Sequence, residues 1–140
     1  MRSLALLALV LATGIAACGG VEEPAPAPAS WDGPGFPLPA DGEVPVDAFR
    51  VYAESVDEPW ERDPAAVARE FARLPAAAVT VDGRHVTVLK DGLEDDSVRA
   101  LRYELELEQG DDVWTVAAAS WAQRCHEQRG HQQFSPALCV

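Results

Sequence analysis

Residues 78–89 read AVTVDGRHVTVL. Valine stands at 79, 81, 86 and 88 and threonine at 80 and 87, a period of two that sends successive side chains to opposite faces of a strand. Between the two runs lies Asp82-Gly83, a dipeptide suited to the centre of a two-residue type I′ turn, whose central residues both need positive φ. Such a turn sets Val81 opposite Arg84, Thr80 opposite His85 and Val79 opposite Val86. Val79, Val81, Val86 and Val88 then share one face, and Thr80, His85 and Thr87 share the other. The pattern is self-consistent and predicts a hairpin with one buried side.

Downstream the period of two continues. In residues 97–108, Leu101, Tyr103, Leu105 and Leu107 alternate with Arg102, Glu104, Glu106 and Glu108, as in a strand that is apolar on one side and wet on the other. Residues 113–125 (VWTVAAASWAQRC) predict a fourth strand, with Trp114 and Trp121 on opposite faces unless a bulge intervenes. Upstream the period lengthens to that of a helix. Asp63 suits an N-cap and Pro64 the first helical position; Val67, Phe71 and Leu74 line one face, and Pro75 stops the run. Residues 47–56 (DAFRVYAESV) place Phe49, Tyr52, Ala53 and Val56 on one helical face, a strand being the alternative. Trp60, between the two segments, reads as a lid on the core. One or two N-terminal helices packed on a four-stranded antiparallel meander make an α+β domain of about 95 residues, enough for one core. That is the general layout of cystatin-like and nuclear-transport-factor-like folds, an analogy that licenses no function.

Residues 19–45, GGVEEPAPAPASWDGPGFPLPADGEVP, lack apolar periodicity. Their alternating Pro-Ala stretch favours polyproline II and reads as a semi-rigid tether. Trp31 and Phe36 are its exceptions, either folding back on the domain or offering a partner a proline-flanked aromatic. The chain starts with Arg2 and an apolar run from Leu4 to Ala17, too short to span a bilayer and patterned as a signal peptide. The run closes in Ile15-Ala16-Ala17-Cys18-Gly19, which resembles the lipobox of bacterial lipoproteins. The resemblance implies a diacylglyceryl thioether on Cys18, cleavage just before it, and a further acyl chain such as palmitate on the new amino group. Two or three acyl chains hold a protein on a membrane far more firmly than one. The implied layout is 1–17 signal peptide, 18–45 lipidated cysteine and tether, and 46–140 α+β domain. The implied address is the bacterial cell envelope, with the domain outside the cytoplasm, on the outer membrane or the outer face of the cytoplasmic membrane. The residue after the cysteine is Gly19 rather than an aspartate, which leans toward the outer membrane. The small residues before Cys18 also suit an ordinary signal peptidase, which would leave Cys18 as a thiol.

On that resemblance Cys18 goes to lipid, and export sets an oxidising compartment in which the remaining Cys125 and Cys139 pair. A bridge over a loop of this length is worth about 3 kcal/mol in the chain-entropy model. Cys125, His126, His131 and Cys139 invite zinc as well, but adjacent Cys125 and His126 depart from the paired spacing of structural zinc sites. No CxxC redox motif is present. The tail, with Trp121-x-x-x-Cys125, Arg129-Gly130-His131-Gln132, Phe134, Ser135 and Cys139, resembles the ending of small uncharacterised bacterial envelope proteins. That resemblance supports the staple and adds no mechanism; Gly130 and His131 would then shape the loop.

Eleven basic and 23 acidic residues give a net charge of −12, which repels phosphate backbones and anionic headgroups and argues against a nucleic-acid partner. Glu94-Asp95-Asp96 and Asp111-Asp112 invite calcium but lack the ordered spacing of an EF-hand, so solvated turns are expected. Neither a nucleophile elbow, an HExxH pair nor a phosphate loop occurs. The sequence therefore points to no catalytic residue, no metal and no cofactor. It points to a membrane-anchored, non-catalytic binding or structural module with an envelope protein as partner. Two alternatives stand beside it: a small-ligand or metal-binding lipoprotein using the sheet face with His85, His126 or His131, and a small envelope enzyme on a cone-shaped α+β fold.

Overall fold

The computed structural model describes residues 29–140, so the signal-peptide reading and Cys18 lie outside the described residues. Helix α1 spans Asp47–Glu54, a 3₁₀ turn spans Pro59–Arg62, and helix α2 spans Pro64–Ala72. Strands β1 (Ala78–Asp82), β2 (His85–Asp91), β3 (Val98–Gln109) and β4 (Trp114–Cys125) follow. They pair in chain order, each antiparallel to the next. The architecture is the α+β meander that the change of period predicts.

The boundaries of α2 and of the 3₁₀ turn have local causes. Asp63 Oδ1 accepts the amide hydrogens of Ala65 and Ala66, at 2.8 and 3.4 Å, and Pro64 sits where no intrahelical donor is needed. The helix closes at Arg73, in the left-handed region at φ 48°, before Pro75 is reached. The 3₁₀ turn carries a reciprocal capping box between Glu58 and Glu61, which accounts for Glu61 being buried.

The β1–β2 hairpin corrects one expectation. Its central residues are Gly83 and Arg84, so Asp82 pairs with His85 and Val81 with Val86, two positions away from the predicted register. Gly83 takes φ 59° while Arg84 stays out of the positive-φ region, the sign pattern of a type II′ turn that asks a left-handed backbone of the glycine alone. Arg84 is also held from β3: its carbonyl accepts the Leu107 N–H at 2.8 Å and its Nε donates to the Leu107 carbonyl at 2.9 Å. A shift of two keeps the faces, so Val86 and Val88 are buried as expected.

Trp114 and Trp121 end up on the same face because β4 bulges. Glu106 pairs with Ala118 and Leu107 with Val116, so Ala117 is skipped and the alternation changes phase. Trp121 is buried and Trp114 packs against the core.

The core lies between the helices and the inner face of the sheet. Phe71 is its centre, with ring centroids of Phe49, Trp31 and Tyr103 at 5.2, 5.6 and 6.3 Å. Trp60 stacks on Tyr52 at its margin, as a lid should. Each such side chain contributes about 1.5–3 kcal/mol of burial.

Packing starts upstream of residue 46. Trp31 folds back into the core and donates from Nε1 to the Phe71 carbonyl at 2.9 Å, and Val44 is buried. Residues 42–44 then run along the free edge of β4: Glu43 bridges Ser120, Val44 N–H reaches the Ala119 carbonyl, and Trp121 N–H reaches that of Gly42. The part of the expected tether from Trp31 onward is thus laid against the domain. Phe36, on that segment, stays 77% exposed.

Candidate functional site

Three surfaces carry whatever chemistry the described residues offer: the stapled tail, the outer face of the sheet, and an apolar groove at one end. In the tail Cys125, the last residue of β4, is disulfide-bonded to Cys139 with their Cα atoms 5.5 Å apart. Gly130 passes over this bridge at φ 135°, and a Cβ there would meet Cys125 Sγ at 2.9 Å. Only glycine fits without strain. His131 reaches the Gln133 carbonyl from Nδ1 at 2.7 Å and the Ala137 carbonyl from Nε2 at 2.8 Å. A neutral imidazole can donate just one of these bonds, whichever tautomer it adopts. Gln132 Nε2 faces three further carbonyls, those of Cys125, His126 and Gly130. The tail is held to β4 by the Gln123–Ser135 bridge and to both β3 and β4 by Phe134, whose ring lies 4.4 Å from the Arg102 guanidinium and 5.2 Å from that of Arg124.

The two cysteine sulfurs and a ring nitrogen of His131 lie within 4.8 Å of one another. The sulfurs are bonded to each other, so the cluster works as a staple with a histidine strut. His126 stays out of it; its amide hydrogen goes to the Ser97 carbonyl at 2.8 Å. His85 lies at the far end of the sheet, beside the β1–β2 turn and opposite Glu106. The three histidines therefore do not converge.

On the outer face a shallow, open hollow of about 460 Å³ is lined by Glu43, His85, Thr87, Glu104, Glu106 and Ser120. Glu104 is paired there with Arg102 at 3.4 Å. Sequence reading places Glu104 and Glu106 on this wet face, and it misses Glu43, which arrives through the bridge to Ser120.

The groove lies where β2 ends and β3 begins. It encloses about 330 Å³ between Phe36, Leu74, Leu93, Val98 and Leu101, with Glu94 and Asp95 on its lip. Asp95 Oδ1 accepts the backbone hydrogens of Val98 and Ser97, at 2.6 and 2.8 Å, which hold its carboxyl below the ordinary range. Across the strand end, Asp91 is lowered first by the Gly92 N–H and then by Arg124 and Arg99. The acidic loop is the solvated turn expected, with Glu94, Asp95 and Asp96 exposed, and Asp95 ties its backbone in place. Beneath the helices, burial pushes the Tyr103 hydroxyl up to about 12.

No protein family, curated protein or solved structure matches the chain.

Proposed function

We propose that the protein is a lipid-anchored component of the bacterial cell envelope whose domain is a non-catalytic binding or structural module. The observation that carries this reading is the apolar run Leu4–Ala17 closing in Ile15-Ala16-Ala17-Cys18, followed by a Pro-Ala spacer and one disulfide-bonded domain. Among the described residues no helix is long and apolar enough to cross a membrane. The space between helices and sheet, where a cone-shaped fold would open a pocket, is occupied by Trp31, Phe49, Phe71 and Tyr103 packed ring against ring. That filling supports a module that acts through its surface.

Intact-mass spectrometry of the protein purified from its own membrane, without reductant, tests the anchor. The expected spectrum shows acyl chains on an N-terminal Cys18 and the loss of two hydrogens at Cys125–Cys139. An unmodified chain cut elsewhere would overturn the lipoprotein reading. A second reading, small-ligand or metal binding on the sheet face, has the hollow around His85 in its favour; a metal or ligand retained in that same spectrum would promote it.

A further inference from the structure

The apolar groove has features that neither a core nor a solvated turn requires. Phe36 stands 77% exposed on its rim, although exposing an aromatic ring to water forgoes the burial that its neighbour Trp31 obtains. Leu74, Leu93 and Val98 are half-buried beside it, and Leu101 forms part of the floor. The lip is charged with one sign. Among the described residues none of Glu94, Asp95 and Asp96 takes part in an ion pair, whereas Asp91 nearby is paired with Arg99 and Arg124. Asp95 is fixed by two backbone donors, so the acidic edge keeps its position. An apolar slot beside unpaired carboxylates complements a bulky apolar side chain next to lysine or arginine. It opposes an anionic bilayer, which a chain of net charge −12 already repels.

We propose that this groove docks a cationic amphipathic segment of another envelope protein, inserting an apolar side chain between Phe36 and Leu93 while its basic residues meet Glu94, Asp95 and Asp96. The inference rests on the reading of the domain as a binding module and names the class of its partner.

The test uses the full mature protein with two defined probes, a short Leu/Lys amphipathic peptide and its Leu/Glu counterpart, followed by fluorescence anisotropy at low and high salt. Vesicles of phosphatidylcholine, with and without phosphatidylglycerol, run alongside. The Lys peptide is expected to bind and the Glu peptide to fail. Phe36→Ala with Leu93→Ser is expected to weaken binding about tenfold. Glu94→Gln with Asp96→Asn, two exposed changes that leave the fold alone, is expected to weaken it about threefold and flatten its salt dependence. Equal binding of both peptides, or affinity indifferent to both sets of substitutions, would overturn the proposal. So would vesicle binding that the Phe36 and Leu93 changes abolish, which would give the surface to a membrane. A protein that refuses the Lys peptide yet cross-links to an envelope partner through another face overturns the groove and spares the binding-module reading.

Discussion

Gly130 and Asp95 are single residues on which a larger piece of backbone depends. A side chain at Gly130 must both adopt φ 135° and displace the Cys125 sulfur, which is 2.9 Å from where its Cβ would sit. Gly130→Ala is therefore expected to cost about 1–3 kcal/mol, read as a lower urea midpoint with the disulfide intact by mass. An unchanged midpoint would mean that the tail can shift off the bridge freely. Asp95 works by charge. Its folded-state carboxyl is depressed by the Val98 and Ser97 amides, so it stabilises the loop above the ordinary carboxylate range, and that support is lost as pH falls through the depressed value. Protection of the Ser97 and Val98 amides, taken as observed exchange against the intrinsic rate at each pH, should fall in that acid window, and Asp95→Ala should lower it already at neutral pH. Protection that ignores both acid and the substitution would deny Asp95 this role. The cysteine pair was legible because few cysteines remained to pair once Cys18 was set aside. The role of His131 was legible only as loop shaping, since the carbonyls of Gln133 and Ala137 that it joins are brought together by the bridge itself.

At the scale of elements, β4 decides how the sheet meets the helices. Skipping Ala117 lets Trp114 and Val116 share a face with Ala119, Trp121, Gln123 and Cys125. Deleting Ala117 would restore strict alternation and drive one of these sets into water. The expected result is a large loss, on the order of 3 kcal/mol for an expelled tryptophan alone, with red-shifted tryptophan emission. A deletion variant with native midpoint and emission would show that the bulge re-forms elsewhere along β4. The run Ala117-Ala118-Ala119 contains no residue whose side chain marks a bulge, so periodicity left both placements of the tryptophans open. The hairpin and α2 were readable because their signals are local: alternating valines, Asp63 before Pro64, and Pro75 after the run. The hairpin register was off by two because the competition between Asp82-Gly83 and Gly83-Arg84 as turn centre is settled from outside, by the bonds between Arg84 and Leu107. The fold-back of Trp31 was one of the two readings its sequence offered, whereas the pairing of residues 42–44 with β4 was hidden for the same reason. Their composition is that of a spacer, and the partners of Trp31 and Val44 are distant in sequence.

For the whole molecule, the balance of charge matters more than any single pair. The ion pairs among the described residues are mostly exposed, as in Arg62–Asp57 and Arg84–Glu108 at 3.5 and 3.9 Å, and such pairs contribute about 0–1 kcal/mol each. Against them stands a net charge of −12, whose self-repulsion is greatest in the compact state and is relieved when the chain expands. Salt screens both effects, over about 8 Å at physiological strength. Short pairs within 4 Å lose little, whereas repulsion summed across the domain acts over longer distances and loses more. The melting temperature is therefore expected to rise between low and moderate sodium chloride, most steeply below about 0.1 M, where the screening length is longest. The Leu/Lys peptide should follow the opposite course, binding less tightly over the same range, because its attraction to the acidic lip is screened too. A melting temperature that falls as salt is added would mean that local pairs such as Arg124–Asp91 outweigh the excess of acid. The charge of the chain would then be a means of recognising a partner that the fold tolerates at no cost.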